Sequence, residues 1–127
     1  MNRKAWLVEI PWELVVWQNE QLCSAKHAHH GPTSDGYEAT RELWKSHHLE
    51  EMDLLAVADL CRKCHRLAPF TSYNGNTFAA IIRALIDPLD LEPRQAALGR
   101  SLACHIVAGV AGDEEVRAFR EFCESLG

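Results

Sequence analysis

No apolar run in these 127 residues approaches the ~20 needed to cross a bilayer. Even RSLACHIVAGVAG is too short and is flanked like a core helix, so no membrane contact is expected. The opening MNRKAWLVEIPWELVVW also lacks the uninterrupted apolar region of a secretory signal, because Glu9, Pro11 and Glu13 fall inside it. A cytoplasmic location is the resulting expectation. Basic charge is scarce: the net charge is −5, and dividing the chain at Asn76 leaves about −2 on the first part and −3 on the rest. No segment therefore forms a large basic surface, which weakens any nucleic-acid assignment. The five cysteines, Cys23, Cys61, Cys64, Cys104 and Cys123, are odd in number and unevenly spaced, unlike a disulfide framework. Repeats and low-complexity tracts are missing as well, and the length suits one domain over residues 1–127.

What is present divides into two parts. Residues 4–17 mix β-branched and aromatic side chains around Pro11, a pattern that predicts two short strands or a broken edge strand. Three of the four tryptophans fall there; core packing is their default role, and a platform for a partner is the other. The stretch CSAKHAHHGPTSDG reads as a loop or tight hairpin, after which Ser34 or Asp35 would cap a helix containing Trp44. MDLLAVADLC fits a helix or a short strand entering one, and RKCHRLAP carries the helix to a stop at Pro69. Over residues 76–127 a three-helix packing unit is predicted, with Asn76 as one cap, Pro93 opening the second helix, Gly109 and Gly112 closing it and Asp113 capping the third. The expected class is thus α+β, mostly helical.

Chemistry concentrates in Cys61-Arg62-Lys63-Cys64-His65. Two thiolates at i and i+3 at a helix start can face one tetrahedral ion, and Cys23 and His27, four residues apart, can complete a structural zinc site. Buried thiols on an apolar helix are the simpler alternative for Cys61 and Cys64. C-x-x-C-H is also a haem-attachment sequence, but that chemistry normally requires export; a thioredoxin-like pair would need a surrounding βαβ pattern. Cys104 and Cys123 sit on apolar faces and read as core. Arg62, Lys63 and Arg66, interleaved with these ligands, could form a local basic patch.

The His29-His30 pair followed by DLLAVADLCRKCHRL resembles the HNH (ββα-metal) endonuclease family over about residues 23–67. The resemblance implies a ββα-like metal module over residues 22–68, with His29 and His65 as ligands of a catalytic Mg²⁺, Mn²⁺, Ni²⁺ or Zn²⁺ ion and His30 as general base. Cys61 and Cys64 would then hold a separate structural zinc. The sequence departs from the family in lacking an upstream C-x-x-C, for which Cys23 and His27 would stand in, and in lacking the asparagine that orients the base. Two functions follow as expectations. One is metal-dependent hydrolysis of phosphodiester bonds in DNA or RNA, with Lys26, Arg62, Lys63 and Arg66 meeting phosphate. The other is a non-catalytic, zinc-stabilised adaptor that binds a protein partner through its tryptophan-rich N-terminal part or its helical tail.

Overall fold

Residues 2–127 are described by a computed structural model. Its regular structure is helical: α1 (Trp12–Ala25), α2 (Tyr37–His47), α3 (Leu54–Leu67), α4 (Asn74–Ile86), a 3-10 turn (Asp87–Leu89), α5 (Pro93–Ala108) and α6 (Asp113–Ser125). Extended pairing among the described residues is limited to two isolated antiparallel bridges, Lys4 with Met52 and Pro32 with Phe70. The α+β expectation is thereby overturned. Residues 4–17 form no strands, and residues 22–68 hold the end of α1, a loop, α2 and α3 in place of a ββα module.

The reason lies in the spacing of α1. Trp12, Val15, Asn19 and Cys23 are its buried residues, at intervals of three and four, so one helical face enters the core. That burial overrides the strand preference of Val15 and Val16. Pro11 does not interrupt a strand; it precedes the first helical turn with extended backbone, where its missing N–H costs nothing. Upstream, residues 2–11 fold over the core as turns, and Trp6, Leu7 and Ile10 are buried. Trp44 on α2 anchors that segment by donating its indole N–H to the Ile10 carbonyl at 2.9 Å.

α3 and α4 pack together at the centre. α1 lies on α4, α2 on α3, α5 across both central helices, and α6 against α5 and α3. Local signals place the ends. Asp53 accepts from the Ala56 N–H at 2.8 Å to cap α3, and Ala68 ends it in the left-handed region just before Pro69. Glu92 caps α5 ahead of Pro93, and Gly109, at φ 78°, closes it. Three of the predicted caps shift: Gly36, Tyr73 and Gly112 occupy the cap positions of α2, α4 and α6, without side-chain capping bonds. Trp12 stacks on Phe70 with ring centroids 5.8 Å apart and donates to the Tyr37 hydroxyl at 3.1 Å, tying α1 to α2 and to the turn before α4.

Candidate functional site

Cys61 and Cys64 occupy the interior of α3 rather than a helix start, on the face that enters the core, and both side chains are fully buried. Burial pushes the Cys61 thiol well above its ordinary range, with the neighbouring Cys64 adding to the effect; burial alone pushes Cys64 up to about 12. A zinc ligand must be a thiolate, so this environment opposes the ionisation that ligation needs. Cys23 is buried on α1, its Sγ 3.6 Å from Asn19 Oδ1. His27, by contrast, is exposed beyond the end of α1, in the left-handed region at φ 54°. Among the described residues no three His, Cys, Asp or Glu side chains converge closely enough to hold a metal ion. The donor sets expected from the sequence, Cys23, His27, Cys61 and Cys64 for one ion and His29 with His65 for another, are thus not gathered into such a group.

His65 and His30 are held by protein partners. His65, on the flank of α3 that meets α5, donates from Nδ1 to the Val107 carbonyl at 2.9 Å. That bond fixes the neutral tautomer, because a carbonyl only accepts, and it leaves Nε2 as the free acceptor. His29 is exposed in the loop after α1, its ring beside Gly31. His30 is half-buried, stacks on Phe70 and bonds through Nδ1 to Asn19 Oδ1 at 2.8 Å; Glu20 stands 3.9 Å from its Nε2. Asn19 in turn donates to the Ser72 carbonyl at 2.8 Å and to Thr77 Oγ1 at 3.0 Å. An asparagine thus orients His30, although it comes from α1, outside the region where the resemblance sought one. Helical periodicity through Trp12, Val15 and Asn19 was the signal that could have found it.

Two of the basic residues on α3 are paired with one carboxylate. Arg62 clamps Asp59 Oδ1 through Nε at 3.0 Å and Nη2 at 2.7 Å, and Lys63 reaches Asp59 Oδ2 at 3.2 Å. Burial raises the Asp59 pKa, but the bonds from Arg62 and Lys63 outweigh it and hold the carboxyl below its usual range. Lys26 and Arg66 are exposed on different elements, after α1 and late in α3.

A different surface stands out at the N-terminal end. Trp6, Trp12 and Trp44 are buried, yet Trp17 is 51% exposed, and Val8 at 51% and Leu14 at 38% lie out with it. Leu14 and Trp17 are neighbours at i and i+3 on the outer face of α1. Val8 and Leu14 also line an open hollow of about 560 Å³ whose far wall is Leu85, Pro88 and Leu89, at the end of α4. Glu13 and Glu20, four residues before Trp17 and three after, are exposed on the same side of α1, and Glu9 is exposed at the hollow. Comparison with protein-family models, with curated proteins and with solved structures finds no match to this chain.

Proposed function

We propose that this chain is a helical protein-interaction module that binds a basic, amphipathic partner helix on the face of Val8, Leu14 and Trp17. The observation that carries the reading is the half-exposed Trp17, one turn from Leu14 on the outer face of α1, with Leu14 and Val8 in turn lining an apolar hollow. Contiguous exposed apolar surface of this kind is the mark of a contact site, and tryptophan is the residue type most enriched among binding hot spots. Charge selects the partner. Lys4 at the hollow is held over the Trp6 ring, while Glu9 and Glu13 make no ion pair among the described residues and Glu20 meets only His30 at 3.9 Å, so three carboxylates against one ammonium call for lysine or arginine on the other side. The module needs no metal for this role.

A synthetic helix with leucine at i, i+3, i+4 and i+7 and lysine elsewhere is the direct probe, followed by tryptophan fluorescence and calorimetry. Wild-type protein binds it, and Trp17→Ala weakens binding at least tenfold, the loss of about 1.4 kcal/mol or more expected of a hot-spot residue. The fold survives, because the side chain is half in solvent. Equal affinity for the variant, or equal affinity for a peptide with glutamate in place of lysine, contradicts the reading.

One observation favours phosphodiester hydrolysis as a second reading. The bond that His30 Nδ1 donates to Asn19 Oδ1 holds the ring and points Nε2 toward Glu20 on a half-exposed side chain, an arrangement in which the ring could take a proton from water. Nicking of plasmid DNA by the wild-type protein with Mg²⁺, Mn²⁺, Ni²⁺ or Zn²⁺, lost in His30→Ala, would establish it. Absence of nicking with all four removes it.

A further inference from the structure

The outer face of α3 is left open between α2 and the corner where α5 turns into α6. On the α5–α6 side it forms a hollow of about 470 Å³. Leu55 and Ala56 of α3, Ile106 of α5, Ala111 in the turn and Val116 of α6 give that hollow its apolar walls. Val110, between the lining residues Gly109 and Ala111, is 67% exposed, an apolar knob on the rim of an apolar hole. Charge along the face is polarised. Asp53 stands at the start of α3, where Oδ1 accepts the Ala56 N–H and Oδ2 has no partner among the described residues. Arg62 stands at the other end, about 13 Å away at 1.5 Å per residue, with Nε and Nη2 on Asp59 and Nη1 unpaired among the described residues. Asp59, between them, is neutralised by Arg62 and Lys63. The smaller hollow on the α2 side of α3 has the same polarity, with Glu50 ahead of the helix and Lys63 towards its end.

From this face we propose that the chain forms a two-fold symmetric dimer in which α3 packs antiparallel on α3 of a second copy. The pattern of charge selects that occupant. A two-fold axis crossing α3 between Ala56 and Asp59 reverses the helix direction and keeps the α5–α6 side against the α5–α6 side. Asp53 of each copy then meets Arg62 of the other, and Val110 of each reaches the hollow of the other. A parallel arrangement would set Asp53 against Asp53 and Arg62 against Arg62. The antiparallel contact is isologous, so one patch serves both copies and the assembly closes at two. Ala56, small and exposed at the centre of the face, lets the two helices approach. The unlike charges fix register, while burial of Val110 and Leu55 supplies affinity. α1 lines neither hollow, so the contact does not use the Trp17 face.

Sedimentation equilibrium of the full chain from about 1 µM to about 1 mM is expected to show the mass rising from 14.3 kDa toward twice that value. Val110→Asp is expected to raise the dissociation constant about tenfold or more with an unchanged thermal midpoint, since the side chain is mostly in solvent. Asp53→Lys and Arg62→Glu each place like charges across the contact and should be monomeric alone. Mixed in equal amounts, the two variants restore both unlike pairs and should dimerise. Trp17→Ala should dimerise like the wild type, which separates this contact from the partner-binding face of α1. The proposal is overturned if the wild-type chain stays monomeric throughout, if Val110→Asp dimerises equally well, if Trp17→Ala abolishes the dimer, or if the mixture of folded charge variants gains none.

Discussion

At Asn19 one carboxamide joins three segments: it donates to the Ser72 carbonyl ahead of α4 and to Thr77 on α4, and it receives the His30 ring from the loop after α1. Its side chain is fully buried, and no buried side-chain nitrogen or oxygen among the described residues lacks a partner. Asn19→Ala would leave the Ser72 carbonyl without its donor and open a void. A buried unsatisfied polar group costs about 1–3 kcal/mol. Urea unfolding of this variant is therefore expected to show a loss of about 2 kcal/mol, and an unchanged midpoint would mean that the network does not bear on stability. Only helical periodicity announces this role in the sequence, because an asparagine between Gln18 and Glu20 reads as surface until the helical face is known. His30, singled out by its pairing with His29, is half-buried with two protein partners. Cys104 shows the converse, since its apolar neighbours made it look like core while one flank of α5 stays open.

Helix ends with strong local chemistry could be read in advance, and those without it could not. Pro93 and Gly109 bound α5 as expected, whereas Gly36 and Gly112 begin helices with no capping side chain at all. At α1 the β-branched content suggests strand while the interval pattern Trp12, Val15, Asn19, Cys23 is helical, and the polar residue within that pattern masks the stripe. Packing between elements supplies a sharper test. Gly99 on α5 lets the Phe122 ring of α6 sit so close that a Cβ would fall 2.3 Å from Cζ. Gly99→Ala must push the ring away, and overpacking of this kind costs about 1–3 kcal/mol. Thermal unfolding should show a lowered midpoint, partly restored by adding Phe122→Leu; an additive loss in the double variant would place the strain elsewhere.

Across the whole molecule, composition defined a globular chain with no bilayer-length apolar run and no basic surplus, and no helix among the described residues is long and apolar enough to cross a membrane. Composition did not say which tryptophan faces water. The packing of α1 on α4 and of α2 on α3 sends Trp12 and Trp44 inward and leaves Trp17 outside. Likewise, the C-x-x-C-H run drew attention as a ligand set, although both of its thiols belong to the core of a six-helix fold. Function, on this account, is a property of the surface formed by α1 and the N-terminal segment. The measurement that tests it most directly is a ¹H–¹⁵N correlation spectrum recorded while the leucine–lysine helix is titrated in. The account predicts that the largest shifts fall on Val8, Leu14, the Trp17 indole and Leu85 to Leu89, leaving His65 and its neighbours still. Shifts centred on His29, His30 and His65, or none at all, would contradict it.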